Sequence, residues 1–120
     1  MTQKSNPLAE KSYSLALEIV KVSRFLSERK KEYILSKQLL RSGTSIGANI
    51  AEANGAISSA DFSAKVSIAY KESLETKYWL RLLMDSGYLS DSKAGCLIEK
   101  ADELSRIMFS VLKSTRMKKL

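Results

Sequence analysis

The sequence contains no histidine, one cysteine, one proline and five glycines. Without histidine it lacks the Ser-His and Cys-His pairs of common hydrolases and the Glu-x-x-His motifs of di-iron bundles. The single thiol, Cys96, cannot close an internal disulfide, which is typical of a reducing compartment. We therefore expect no catalytic residues, no metal, no cofactor and no enzymatic activity.

Long apolar runs are also missing. No stretch reaches the length that spans a bilayer, and the N-terminus lacks the apolar segment of a signal peptide. We expect a cytoplasmic protein with no membrane partner. The 120 residues are enough for one domain, which we assign to residues 1–120. The scarcity of proline and glycine permits long, uninterrupted helices.

Four segments repeat the apolar period of an α-helix. They span residues 8–26, 32–55, 59–86 and 90–115. Ser58 with Asp61, and Ser90, are suited to begin the third and fourth helices, and Gly55 and Gly87 are suited to end the second and third. Because the connections are short, the sequence predicts an all-α, antiparallel up-down-up-down four-helix bundle.

Two of these helices carry apolar residues outside the face that a bundle buries. On the first helix they are Tyr13, Leu17 and Val20, and on the third they are Tyr70, Leu74 and Tyr78. Isolated surface apolar residues are common, but contiguous stripes are unusual on a monomer. Because the first and third helices lie diagonally in such a bundle, we predict that their stripes meet between subunits of a homo-oligomer.

The second helix combines a glycine line with a polar line. Gly43 and Gly47 are one turn apart, a spacing that favours close approach of another helix. The polar line runs through Gln38, Ser45, Asn49 and Glu52. It could be a binding or catalytic line, but we favour a structural network with Ser73, Glu75 and Thr76 of the third helix.

Two details of this polar line can be tested against a structure. We expect Asn49 to be buried and hydrogen-bonded to a neighbouring helix. A metalloenzyme in which Glu52, Glu72 and Glu75 gather at one ion is a weaker alternative, since no imidazole ligand accompanies them.

The net charge of +7 is concentrated towards the ends of the predicted bundle. Arg29, Lys30 and Lys31 fall at one end. The other end holds Lys4, Arg116, Lys118 and Lys119. Such basic ends suit contact with a nucleic-acid backbone, but they also suit a protein–protein adaptor whose basicity serves solubility or an acidic partner. No aromatic residues alternate with the basic runs, which favours sequence-nonspecific contact over base reading.

Residues 38–53, QLLRSGTSIGANIAEA, resemble the signature of a bacterial four-helix-bundle family first noticed inside intervening sequences of large-subunit rRNA genes. A second block agrees, in the segments DF, IAYKESLET, YWLRLL and SGYL. They occupy residues 61–62, 68–76, 78–83 and 86–89. The two blocks occur in the family's order and together cover most of residues 33–89.

The resemblance implies a left-handed up-down bundle that assembles as a ring-shaped pentamer. The same superfamily includes the accessory variability protein of diversity-generating retroelements, a basic pentamer that binds nucleic acid and a reverse transcriptase. No catalytic residue carries over from the family. Arg41, Ser45, Asn49, Glu52 and Glu75 match positions that recur in the family, where a structural role is implied.

Overall fold

The structure, a computed structural model, describes residues 6–118 and the side chains of residues 6–115. Within that range the chain forms four helices and no strand. They are α1 (Pro7–Glu28), α2 (Leu35–Asn54), α3 (Ser59–Asp85) and α4 (Asp91–Lys118). The predicted all-α fold is confirmed, and every predicted helix has an observed counterpart whose ends agree within three residues.

Consecutive helices pack side by side, and α4 closes the bundle by returning to α1. In the described part of the chain, the diagonal pairs α1 with α3 and α2 with α4 have no Cα atoms within 8 Å of each other. This arrangement is the predicted four-helix bundle. Its core is a single cluster of aliphatic side chains from all four helices. The largest fully buried members are Leu15, Ile19, Leu26, Leu39, Ile46, Ile50, Val66, Leu80, Leu83, Leu97, Leu104 and Met108.

Polar side chains cap the starts of α1, α3 and α4. The Asn6 side chain accepts from the backbone N–H of Ala9 at 3.1 Å, and Pro7 occupies the first position of α1, where no N–H is needed. Ser58 Oγ accepts from the N–H of Asp61 at 3.0 Å, and Ser90 Oγ accepts from the N–H of Lys93 at 3.1 Å. The predicted caps of α3 and α4 are confirmed.

Helix α2 begins three residues later than predicted because of Glu32. Its carboxylate accepts from the backbone N–H groups of Ile34, Leu35 and Ser36, at 3.3, 3.1 and 2.8 Å. Glu32 therefore satisfies free donors at the start of α2 from a position outside the helix. Lys31 precedes it with φ 55, so the basic segment is a defined turn and not the first turn of α2.

The two glycines predicted to end helices behave differently. Gly87 has φ 85 and sits in a Schellman motif, in which its N–H donates to Met84 at 3.1 Å and that of Tyr88 donates to Leu83 at 2.9 Å. Gly55 directly follows the last residue of α2, as predicted, but its φ of −103 is outside the left-handed region. The N–H of Gly55 instead donates back to Glu52 in a tight final turn, which needs no positive φ.

The glycine line of α2 faces α1 inside the subunit. A Cβ built on Gly43 would lie 2.7 Å from a methyl carbon of Ile19, and one on Gly47 would lie 3.4 Å from the backbone oxygen of Ser12. Both positions therefore let α1 and α2 approach more closely than a larger residue allows. The predicted close helix approach is confirmed.

Neither a membrane span nor a metal site is found between residues 6 and 118. No helix there has an apolar window long enough to cross a bilayer, and no three Cys, Asp or Glu side chains converge on one point. Glu52, Glu72 and Glu75 instead face lysine or arginine. Among the described residues, the three carboxylates therefore do not gather at one point, as the metalloenzyme alternative required.

Candidate functional site

Arg41 binds two carboxylates across the α2–α3 seam. Its Nη1 donates to Glu72 at 3.1 Å, its Nη2 donates to Glu75, and Trp79 Nε1 also donates to Glu75 at 3.1 Å. The hydrogen bond from Arg41 is the main cause that lowers the pKa of Glu75, and the Glu75 hydrogen bond raises the pKa of Arg41. This cluster fixes α2 against α3 at the surface of the bundle.

Hydroxyl groups join three helices beneath that cluster. Thr76 Oγ1 lies 3.1 Å from Ser42 Oγ, which links α3 to α2, and Ser73 Oγ lies 2.7 Å from Ser105 Oγ, which links α3 to α4. All four residues are buried. Because each of these buried hydroxyl groups has a partner, the two pairs help to fix the register of α3 against α2 and against α4.

The outward faces of α1 and α3 each carry a stripe of exposed apolar side chains. Tyr13 is 67% exposed, Leu17 49%, Leu74 42% and Tyr78 61%. Val20 continues the exposed stripe on α1. The α1 stripe lies opposite the face of α1 that enters the core, and the stripe of α3 is arranged in the same way. These two stripes lie at diagonal corners of the subunit, and we call them the α1 strip and the α3 strip.

Tyr70 lies deeper than the other residues of the α3 stripe. It is half-buried and stands 6.0 Å, ring centre to ring centre, from Phe109 of α4. With Leu74 these rings line a shallow groove between α3 and α4. Lys77, Asp102 and Arg106 border the groove, and Lys77 donates to Asp102 at 3.0 Å. That contact is the main cause that lowers the pKa of Asp102.

Cationic side chains gather at the end of the bundle where α1 ends and α4 begins. Arg29, Lys30 and Lys31 are exposed on the turn after α1. Lys37 on the first turn of α2 and Lys93 on the first turn of α4 are exposed at the same end. Antiparallel packing thus brings Lys93 to the same end as the cations of residues 29–37.

Residues 4–110 match the family described as 23S rRNA-intervening sequence protein. The chain belongs to this family. No curated protein matches its sequence. Among solved structures, it resembles a protein of unknown function from the S23 ribosomal protein family of Bacteroides thetaiotaomicron VPI-5482. The two chains are 43% identical with a TM-score of 0.87, over 88% of this chain and 98% of the other.

In this member of the intervening-sequence family, the polar line of α2 is only partly joined to α3. Ser73, Glu75 and Thr76 bond across helices as described above, and Glu52 pairs with Lys65 at 3.0 Å while staying exposed. Gln38 is exposed and Ser45 is half-buried. The cross-helix partners on α2 are mainly Arg41 and Ser42, which the sequence-based network did not include.

The prediction for Asn49 is wrong. Its side chain is half-buried, and Nδ2 donates at 2.9 Å to the backbone oxygen of Ser45 in its own helix. Asn49 lies beside the core face, where a short amide reaches the preceding turn more easily than α3. Ser42 lies two turns earlier on nearly the same face of α2, is fully buried and makes the cross-helix contact instead.

The predicted basic residues are placed only at one end. Arg29, Lys30 and Lys31 cluster with Lys37 and Lys93, as described. Lys4 and Lys119 lie outside the described residues, and so do the side chains of Arg116 and Lys118.

Proposed function

We propose that this protein is a non-enzymatic, homo-oligomeric helical scaffold that binds RNA or DNA through its basic end without reading base sequence. The observation that carries the scaffold is the pair of exposed apolar strips at diagonal corners of the subunit. A strip on α1 can meet the strip on α3 of a neighbour, and repetition of that head-to-tail contact closes a ring. The family resemblance implies five subunits in that ring.

The nucleic-acid role is supported by the cations at the α1–α4 end. In a ring, the Arg29–Lys31 turn of every subunit would repeat around one face. Repeated cations that neutralise phosphates displace condensed counterions, so binding should weaken steeply as salt rises. Phosphate contacts position a nucleic acid without specifying its sequence.

The oligomer is tested by placing a charge in the α3 strip. Leu74→Glu should lower the mass measured by light scattering and leave helicity by circular dichroism unchanged, because Leu74 is outside the core. Ile68→Glu is the matched control, since Ile68 is equally exposed on another face of α3. An unchanged mass for Leu74→Glu, or a monomeric wild-type protein, would refute the proposed interface.

Nucleic-acid binding is tested with a triple variant of the turn: Arg29→Ser, Lys30→Ser and Lys31→Asn. Asparagine is chosen at position 31 because the backbone there has φ 55, which asparagine tolerates. We expect a marked loss of affinity in gel-shift titrations across a salt series, with RNA and duplex DNA in parallel.

The control removes three lysines far from that turn: Lys11→Ser, Lys71→Ser and Lys113→Ser. This control triple should retain most of the affinity. An equal loss would locate the binding surface elsewhere, and no binding of wild-type protein to either nucleic acid at low salt would refute the role.

The second candidate is a protein–protein adaptor without nucleic-acid binding. It is favoured by the groove of Tyr70, Leu74 and Phe109, whose border carries both charge signs. Mixed charge around an apolar strip suits a protein surface better than a polyanion. A pull-down in which partners survive nuclease treatment and are lost with Phe109→Glu, a change on α4 outside the α3 strip, would favour the adaptor.

A further inference from the structure

A cavity of about 470 Å³ opens between the last turns of α1 and the turn that joins α3 to α4. Val22 and Phe25 contribute one wall, and Tyr88 and Leu89 contribute the other. Its volume lies within the range of about 300–1,000 Å³ typical of pockets for small organic ligands. Phe25 is on the flank of α1 that faces α4, so the cavity is separate from the Tyr13–Val20 strip.

The Tyr88 wall is rigid because of the way α3 ends. The two hydrogen bonds of the Schellman motif at Gly87 hold the backbone of Tyr88 against Leu83. Leu89 follows as a buried core residue and anchors the turn from below. The backbone that carries Tyr88 and Leu89 is therefore held in place on this side of the cavity.

Lysines from three different elements border this lining. Lys21 comes from α1, Lys30 from the turn after it, and Lys93 from the first turn of α4. Lys30 Nζ lies 5.9 Å from the centre of the Phe25 ring, so a cation stands directly beside the apolar wall. Among the described residues that line the cavity, none is acidic.

This combination selects a ligand with a flat apolar part and negative charge. Three neighbouring ammonium groups repel a metal cation, a neutral apolar molecule gains nothing from them, and a bare phosphate gains nothing from the rings. A nucleotide meets both requirements, because its base can stack on an aromatic ring while its phosphates face lysine.

We infer that this cavity takes an unpaired nucleotide of a single-stranded RNA or DNA. The inference rests on the proposed nucleic-acid role and adds to it a preference for single strands, since a base in a duplex cannot leave its pair without an energetic cost. It also revises the expectation of purely backbone-directed contact. Aromatic and basic residues that are separated along the sequence meet at this cavity.

The test compares a fluorescent 12-nucleotide single-stranded RNA with a duplex of the same length by anisotropy, using the full chain. Wild-type protein should bind the single strand more tightly. Phe25→Leu keeps an apolar side chain at an exposed position and removes the ring. It should weaken single-strand binding by about 5- to 150-fold, as expected for one lost stacked base, and change duplex binding less than twofold.

Tyr33→Leu is the control, because Tyr33 is an exposed aromatic residue near the same turn and does not line the cavity. It should leave both affinities unchanged. Lys93→Gln is a second variant at an exposed position, and it should lower the slope of single-strand affinity against salt by about one. The loss of single-strand affinity in Phe25→Leu and the salt slope of Lys93→Gln are independent measurements.

Equal losses for Phe25→Leu and Tyr33→Leu would overturn the inference, as would equal wild-type affinity for single strand and duplex. In both cases the proposed function would survive, because binding itself is retained. Wild-type protein that binds neither probe would overturn the proposed function and this inference together.

Discussion

Helices α2 and α4 occupy equivalent corners of the bundle, since each lies between α1 and α3. Helix α2 packs closely against both neighbours, through Gly43 towards α1 and through Ser42 and Arg41 towards α3. Helix α4 packs closely against α3 but makes far fewer contacts with α1. There the described contacts include two ion pairs, Lys11 with Glu103 and Lys100 with Glu18, and one end opens into a cavity.

This difference shows which parts of the bundle hold it together and which are available for binding. Small residues and shared hydroxyl groups bring the middle of α2 close against both of its neighbours. The α1–α4 seam is bridged by long charged side chains that reach across a wider separation. A structural role is therefore concentrated on α2, and the candidate ligand cavity lies on the seam that is least filled.

The largest expected effect comes from filling the space at Gly43. Gly43→Ala places a methyl group 2.7 Å from Ile19, so we expect a loss of about 1–3 kcal/mol in the free energy of unfolding, despite alanine's better helix propensity. Gly95→Ala in α4 meets nothing within 4 Å and should stabilise by up to about 1 kcal/mol. Urea unfolding measures the free energy of unfolding of both variants. If the two substitutions changed it in the same direction, the difference in packing between α2 and α4 would be refuted.

A smaller effect is expected at the hydroxyl pair between α2 and α3. Thr76→Val removes the group that contacts Ser42 and should cost about 1–3 kcal/mol, because a buried hydroxyl loses its partner. Thr44→Val is the control, since Thr44 is half-buried and bonds within its own helix to Leu40 at 2.7 Å. Thermal unfolding that shows the same shift for both variants would argue against a special role for the α2–α3 pair.

The ion cluster of the same seam should give stability a dependence on acid pH. Folding lowers the pKa of Glu75 from its ordinary value of 4.5, chiefly through Arg41, so the ionised form stabilises the folded state. That contribution is present above pH 4.5 and is lost as the pH falls through the lower folded pKa. Glu75→Gln should therefore be less stable than wild type at pH 7, and the difference should shrink below pH 4.5.

Glu99→Gln, at an exposed position on α4, serves as the control for that pH series. Its stability should follow wild type at every pH. A constant difference between Glu75→Gln and wild type from pH 7 to pH 3 would show that Glu75 acts through packing and not through its charge.

The smallest effect is expected on the α1–α4 seam. Lys100 Nζ pairs with Glu18 at 2.7 Å, and both side chains are partly exposed. Lys100→Ala should cost less than about 1 kcal/mol, and the cost should fall further at 1 M salt because exposed pairs are screened. A larger, salt-independent loss would mean that this seam is as firmly packed as those of α2.

The helices themselves could be predicted from local patterns, because apolar period and capping residues act over a few positions. Ser58 and Ser90 cap the starts of their helices, and Gly87 takes a positive φ at the end of α3, as these residue types favour. Residue type alone did not predict two other helix ends. Glu32 caps α2 from outside the helix, and Gly55 follows the end of α2 without a positive φ. The close helix approach at Gly43 and Gly47 could also be predicted, because their spacing places both residues on one face of α2.

The sequence by itself therefore determined the four helices, their order and the faces that they bury, since these follow from periodicity and short connections. Only the tertiary structure decided which polar side chains meet. Asn49 and Ser42 lie two turns apart on nearly the same face of α2, yet Asn49 bonds within its own helix and Ser42 contacts Thr76 of α3. In the same way, Phe25, Lys30, Tyr88 and Lys93 share one cavity only because antiparallel packing brings two distant segments to the same end.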